Sequence, residues 1–514
     1  MNSIKKLSAL LLAVSLVFSA AACKNNVEES TSEIIVSTED INASNGETDS
    51  AAGNSSQSDE NKASVNNSGS KSTKIDTKAE TKSGYTLPDV KLKDKTLDFY
   101  VPIGVTVEAL RSPDKSKGMT ATNLFEDVYG GKMRMIQVDS NKFYETLLSY
   151  QAAGNMPDMI YPYGSYFPRL YLYNLIDTLD QYKPYIDLSA PIWDNYREYN
   201  ENMAVNGKHY YAIQEFGSPV IIAYNPKLFS RFDVEKTPFE IYRNNPADWT
   251  WSKMRELAAQ LTQDTDGDGK TDIYGLGLSG DGGSCLLPTT GTNLITYDAK
   301  KGIKSNLYSE QLKNTANFVR DLFTTYKVAD PDAPTTVESK FKNGTLGMIT
   351  VGMYKLTGDL KSLWKEGKVG VAPLPRYDGV DKSYRGGIQW AYLIGKGCDN
   401  PEAAALWMTL SAYCTSGYLE KDYGVPNYDQ NVVYLGMSEI PKEQSKLMYE
   451  MYFDNKQFTV LPSGGSWING SSYELFEPLR VKTWNQILAQ KGPAYDASIK
   501  ENWEQYAEMV AADN

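Results

Sequence analysis

Met203-Ala204-Val205-Asn206-Gly207-Lys208-His209-Tyr210-Tyr211-Ala212-Ile213 places an Asn-Gly pair between two apolar, strand-forming runs. Asn-Gly is the dipeptide that a type I′ hairpin turn wants, because both central residues take positive φ. A few residues on, Pro219-Val220-Ile221-Ile222-Ala223-Tyr224-Asn225 reads as a further strand, with Glu215-Phe216 at the crossover between them. Working outward, Thr96 to Val101 predicts a first strand and Met133 to Val138 a second. Phe143, Tyr144, Leu147 and Leu148 form the apolar face of a helix closed by Gly154, and Pro157 to Tyr161 predicts a third strand. Thr250 caps a helix whose inner face is Met254, Leu257, Ala258 and Leu261. Asn400 as N-cap with Pro401 at N1 opens another, carrying Ala403, Leu406, Trp407 and Leu410 at helical spacing. Ile499, Trp503, Tyr506 and Met509 make one stripe in a helix-rich C-terminal quarter. Short apolar runs alternating with helical patterns, without internal repeat, specify an α/β protein.

The chain has 514 residues, room for roughly two to four domains. With 41% hydrophobic and 23% charged residues it has the mix of a globular protein with a sizeable core. Its formal net charge of −12 argues against the basic surface that nucleic-acid binding requires. His209 is the only histidine, which excludes every multi-histidine metal site. Inside a predicted strand beside two tyrosines, it is expected to be a packed structural residue. Four cysteines are present. Cys398 and Cys414 lie at opposite ends of the Pro401 helix, roughly 20 Å apart at 1.5 Å per residue, too far for a disulfide. With Cys285 they are expected to be buried free thiols.

The N-terminus has a different composition. Lys5 and Lys6 precede an apolar run from Leu7 to Phe18, too short for a membrane span but right for an export signal. It ends in Ser19-Ala20-Ala21-Ala22-Cys23, which resembles the bacterial lipoprotein cleavage site, although Ala20 stands where leucine is usual. The expectation is a signal peptide over 1–22 and lipidation of Cys23. The alternative is ordinary cleavage after Ala22. Residues 23–85 are Ser, Asn, Thr, Lys, Asp, Glu and Gly with isolated aliphatics, predicting a disordered polar tether.

Asp264-Thr265-Asp266-Gly267-Asp268-Gly269-Lys270-Thr271-Asp272 is the sharpest local motif. Carboxylates at positions 1, 3, 5 and 9 with glycine at 6 match a calcium loop of EF-hand type, in which Lys270 offers its backbone carbonyl. At position 12 the bidentate glutamate is replaced by Gly275. A structural Ca2+ is expected; the alternative is a solvated acidic turn. No nucleophile elbow, Ser–His–Asp spacing or phosphate loop stands out, and Gly277 to Gly283 lacks the Lys-Ser/Thr of a P-loop.

Taken in order, the pieces resemble bacterial extracellular solute-binding proteins of family 1. The resemblance rests on the Asn206–Ile213 string, the Trp251–Thr262 helix, and Phe341, Gly344 and Met348 in a Phe-x-x-Gly-x-x-x-Met pattern. It continues through Val369-Gly370-Val371-Ala372-Pro373-Leu374-Pro375 and Gly386-Gly387 followed by a strand and the Pro401 helix. It implies a two-lobed periplasmic-binding-protein-like α/β fold, with one lobe of residues 90–220 plus 386–440 and the other of 221–385 plus 441–514. It implies a monomeric, non-enzymatic protein that captures an oligosaccharide and delivers it to the permease of an ABC importer. Lipidation would hold it at the extracellular face of the cell membrane. The alternatives are an extracellular carbohydrate-active enzyme, hydrolase or lyase, and a binding protein for peptides or another polar solute.

Ligands in such folds bind at strand-end loops facing the inter-lobe cleft. Those loops contribute Tyr163 and Tyr166 after the third strand, Glu215 at the crossover, and Asp281 in the glycine-rich loop. Gln389 and Trp390 follow the double glycine, and Trp467 sits in Ser463-Gly464-Gly465-Ser466-Trp467. Tyr354 occupies the place where the family commonly puts a sugar-stacking aromatic. Each of these aromatics could instead be core. Trp251, Trp407 and Trp503, on helical stripes, are assigned to core.

Overall fold

The computed structural model describes residues 75–76, 80–161, 169–216, 219–279, 283–298, 302–332, 336–356, 358–386, 389–428, 442–453, 459–461 and 472–512. The expected leader, Cys23, Tyr163, Tyr166, Asp281 and Trp467 lie outside these residues, as do the side chains of Glu215, Gln389 and Trp390.

Two mixed sheets organise the chain. The first has the order β2-β1-β3-β12-β4, built from β1 (Thr96–Pro102), β2 (Lys132–Val138), β3 (Met159–Ile160), β4 (Ala212–Phe216) and β12 (Gln389–Ile394). β1 runs parallel to β2 and β3, whereas β12 is antiparallel to both β3 and β4. Successive residues of β1 feed different cores: Phe99 packs with Trp407 on one face and Tyr100 with Phe143 on the other. That two-sided burial explains why Phe99-Tyr100-Val101 reads as a continuous apolar run. The second sheet has the order β10-β5-β9-β6, from β5 (Val220–Tyr224), β6 (Tyr274–Leu278), β9 (Leu346–Gly352) and β10 (Gly370–Pro373). β6 is parallel to β9, and β5 is antiparallel to both β9 and β10. Two ribbons, β7 (Ile295–Asp298) with β8 (Gly302–Ser305) and β11 (Tyr384–Gly386) with β13 (Thr459–Leu461), complete the strands among the described residues.

The principal helices are α1 (Ala121–Tyr129), α2 (Phe143–Ala153), α3 (Trp251–Leu261), α4 (Glu310–Thr324), α5 (Pro401–Thr415), α6 (Tyr418–Tyr423) and α7 (Trp484–Ala512). Their ends follow local chemistry. Thr120 and Asn123 form a capping box at α1, the Thr250 hydroxyl accepts from the Lys253 N–H at α3, and Gly154 closes α2 in the left-handed region. Together the sheets and helices make a two-lobed α/β fold with a helix-rich C-terminal part. Trp251 and Trp407 are buried, and Trp503 is partly buried on α7.

Three local expectations change. Asn206 and Gly207 do take positive φ, 52° and 75°, and Val205 and Lys208 exchange both backbone bonds at 2.9 Å. Beyond that bridge no ladder forms between 203–205 and 209–213, and β4 starts only at Ala212. The segment 178–180 takes the place of the pairing partner. The Leu179 N–H donates to the His209 carbonyl at 2.7 Å, and the Asp180 carboxylate accepts the His209 N–H at 2.7 Å. His209 is thus a packed structural residue, as expected, but it lies ahead of the strand. Second, Asn400 precedes α5 without capping it; its amide instead donates to the Asp94 and Thr96 carbonyls, tying the helix start to the start of β1. Third, all three described cysteines are free, but only Cys285 and Cys414 are fully buried. Cys398 is half-buried, and desolvation pushes its thiol well above the ordinary range.

Residues 80–85, expected as the end of the polar tether, pack on the folded body. Ser83 donates its N–H and hydroxyl to Asp422 at 2.6 and 2.7 Å, and Tyr85 packs between Tyr413 and Tyr418. Composition gave no sign of this, because the partners lie on α5 and α6, more than 300 residues away.

Candidate functional site

The three parallel strands of the first sheet finish at one end, at Pro102, Val138 and Ile160. β12 is antiparallel to β3, so its first residues, Gln389 and Trp390, start at that same end. There Trp390 is the register partner of Glu215 and Gln389 that of Phe216, with a register shift between Trp390 and Ala391. Three expected ligand residues, 175 positions apart in sequence, are therefore neighbours along one strand pair.

In the second sheet the corresponding end is marked by Gly352 of β9, which pairs with Val220 at the start of β5. The Met353 N–H donates to the Pro219 carbonyl at 2.9 Å, and the Ser279 N–H to the Thr350 hydroxyl at 3.1 Å. Chain beyond β6 and chain beyond β9 thus leave from the same end. Phe216 ends β4 and Val220 begins β5 four residues on, so the two strands are separated by at most ~15 Å. A second step, of three residues, joins Gly386, which lies against Pro288, to Gln389. One short crossing therefore joins the two sheets directly, and a second joins β12 to the β11–β13 ribbon, which lies against Pro288 beyond β6; both are at the strand ends where α/β folds bind ligands.

Among the described side chains there, Tyr354 is the exposed aromatic, 58% accessible. A Cβ at Gly352 would fall 2.5 Å from its ring, so the glycine is what allows the ring to lie back over the strand end. The Lys355 ammonium sits 5.6 Å from the ring centroid and pairs with Asp359 and Glu338. Its hydrogen bond to Asp359 holds the lysine above its ordinary pKa. Reading the sequence for aromatics missed this charged collar; the i,i+4 spacing of Lys355 and Asp359 was its available signal.

The aspartate-rich loop follows α3 directly. One carboxylate oxygen from each of Asp264, Asp266 and Asp268 lies within 4.8 Å of the others, all exposed. Asp264 also accepts the N–H groups of Gly267 and Gly269, and both glycines have positive φ. Asp272 is not in the cluster: it turns back to accept the Thr265 N–H and hydroxyl, which hold its carboxyl below the usual range. The Lys270 side chain pairs with Asp268 at 3.2 Å. Gly275 has a packing reason for replacing glutamate: a Cβ there would meet the Ala258 carbonyl of α3 at 1.9 Å.

Two surface hollows, of about 730 and 550 Å3, lie beside α3 and beside the Phe239–Arg243 segment, and none of the expected ligand residues lines either. No described helix is long and apolar enough to cross a membrane.

No curated protein matches the chain. Among solved structures, an ABC substrate-binding protein of Listeria monocytogenes in complex with cycloalternan is similar at 16% identity and a TM-score of 0.54, covering 79% of this chain and 99% of that one. The sugar-binding protein MalE from Xanthomonas citri is similar at 16% identity and 0.53, covering 81% and 98%. UspC of M. tuberculosis is similar at 15% identity and 0.53, covering 78% and 100%. At such identities the likeness establishes the two-lobed fold. The model of the family described as bacterial extracellular solute-binding protein matches residues 120–422, well over half of the chain. On that match, the chain belongs to the bacterial extracellular solute-binding proteins.

Proposed function

We propose that this protein captures an oligosaccharide between its two lobes and delivers it intact to the permease of an ABC importer. The observation that carries this reading is the pair of short crossings, with Glu215, Gln389 and Trp390 on one side of the junction and Tyr354 on the other. Lobes joined by such short strands pivot about them, and a ligand contacting both sides favours the closed arrangement over the open one. A sugar offers an apolar ring face for an aromatic platform and hydroxyls for carboxylate and amide partners. Tyr163, Tyr166, Asp281 and Trp467 complete the proposed set. The lobes follow the boundaries 90–220 with 386–440 and 221–385 with 441–514.

In this reading the protein is a monomer without catalysis, held at the outer face of the cell membrane through a lipid on Cys23. The aspartate loop holds one structural Ca2+. Three carboxylate oxygens within 4.8 Å of one another fit the ~2.3–2.6 Å bonds of that ion, and oxygen is its preferred donor. Asp264, Asp266 and Asp268 bind it with the Lys270 carbonyl, while Asp272 closes the loop.

Incubating the purified protein with oligosaccharide pools tests the central claim. The expected result is saturable binding with every glycan recovered at its original length. Shortened chains would favour a hydrolase or lyase, and no binding at all would favour a peptide or another polar solute.

A further inference from the structure

The docked N-terminal segment has a direction. Asn400 fixes the start of α5 at the amino end of β1 through its bonds to Asp94 and Thr96. Over 15 residues α5 climbs about 22 Å, comparable with the ~20 Å length of β1. It passes Phe99 at Trp407 and reaches α6 near the loops that follow β1. That level is marked by Met119, just ahead of α1: its N–H donates to the Pro426 carbonyl and its carbonyl accepts from Tyr428. α1 runs back from there towards the amino end, where the Lys132 N–H meets the Lys95 carbonyl.

The segment ahead of β1 spans the same height in reverse. Asp76 accepts from the Tyr423 hydroxyl, Ser83 is clamped on Asp422, and Tyr85 packs on Tyr413 and Tyr418, all at the far end of α5. Pro88 accepts from Tyr129 at the C-terminal end of α1, and Leu87 and Leu92 are buried on the way down. Asp422 is itself 9% exposed and takes a third bond from the Tyr413 hydroxyl at 2.7 Å. This is a built attachment rather than a frayed terminus.

We propose that residues 80–92 are an orienting strap: they move the root of the membrane tether from the amino end of the first sheet to its ligand-binding end, so that the tethered protein presents its cleft rim to the membrane. This rests on the anchoring reading above. The displacement, about 20 Å, is half the ~40 Å r.m.s. reach that composition predicts for the roughly 50 residues between Cys23 and Ile75. A bias of that size changes which face of the body spends time near the bilayer, where a permease receives its ligand.

The test uses the mature lipidated chain on vesicles carrying acceptor dye on their headgroups. A donor is placed either at the rim, by Ile103→Cys, or at the amino end of the sheet, by Asn155→Cys; both positions are exposed. Energy transfer should be at least about 1.5-fold greater from the rim donor, given the strap's length relative to the tether. Ser83→Gly with Tyr85→Gly should abolish the difference, while a 12-residue Gly/Ser insertion ahead of residue 75 should reduce it without abolishing it. A melting curve on each variant shows that the body remains folded. Equal transfer from both donors in the intact chain would overturn the proposal, as would a difference that survives release of the strap. A parallel sample, tagged with histidines at residue 24 and held on nickel-chelating lipid, separates the two readings. If it shows the asymmetry while Cys23 takes no lipid, anchoring fails and the strap stands.

Discussion

Replacing Tyr354 by alanine should weaken sugar binding while leaving the fold close to intact. With 58% of the residue exposed, only some 80 Å2 of a ~200 Å2 side chain is withdrawn from water, worth about 2 kcal/mol at most. Trp407 is the contrast. It is 3% exposed, packs on Tyr392 at 4.8 Å between ring centroids, and donates its indole N–H to Thr122 at 3.3 Å. Trp407→Ala should therefore cost ~3–5 kcal/mol. A bound sugar covering half of the exposed Tyr354 surface would gain about 1.5 kcal/mol from it, so the alanine variant should bind about tenfold more weakly. Gly352→Ala sharpens the experiment, because the ring is kept and only its place is disturbed: the new methyl would sit 2.5 Å from the ring edge. The displaced ring is free to swing outward, so stability should hardly change while affinity falls. Thermal melting and titration calorimetry on the three variants provide both readouts. Tyr354→Ala melting as early as Trp407→Ala would make the tyrosine a core residue. Undiminished affinity in Tyr354→Ala and Gly352→Ala would place the sugar elsewhere.

Excess chelator should lower the melting temperature of the wild-type protein, because a metal bound only to the native state stabilises it, and Asp266→Ala with Asp268→Ala should erase that response. Identical wild-type melting curves with and without chelator would remove calcium from the account. Gly275→Ala should cost about 3 kcal/mol by forcing β6 off the α3 backbone, against ~1 kcal/mol for Gly269→Ala, which has open space but a φ of 84°. Equal losses in chemical denaturation would show that the close approach relaxes freely. At Asp180, burial opposes ionisation, but hydrogen bonds from the His209 N–H and ring and from Thr178 outweigh it and hold the carboxyl below its usual range. A depressed carboxyl stabilises the fold above its unfolded pKa near 4 and loses that contribution as pH falls through the folded value. Asp180→Asn should accordingly melt earlier at neutral pH and lose less between pH 5 and 3; a parallel acid limb would contradict the assignment.

Strands buried on both faces were legible in the sequence because their apolar runs need no partner to be recognised, as at Thr96 to Val101 and Val220 to Tyr224. Caps at Thr250 and Gly154 were legible for the same local reason. What a distant partner decides was not. The Asn206-Gly207 turn formed, but 178–180 took the hairpin's pairing edge, and nothing in 203–213 announces that competitor. The Asn400 amide looked like a cap and was spent on the β1 carbonyls instead. At the candidate site, residue types at strand ends could be picked one by one. That Glu215 and Trp390 are register partners follows only from β12 returning to the first sheet.

That return has a consequence for how the chain becomes folded. The first sheet is incomplete until β12 exists: Ile160 pairs with Leu393 and Ala212 with Tyr392, contacts spanning some 180 to 230 residues. Long loops must close before these pairings reward the closure, which slows folding and postpones it until most of the polypeptide is present. For a member of a family that works outside the cell, such lateness is useful. The N-terminal three-quarters of the polypeptide, lacking the strand that finishes its own sheet, stays threadable while the remainder is being made. The same discontinuity that links the two sheets thus keeps the nascent protein loose and lets it lock into shape only once its last quarter has arrived.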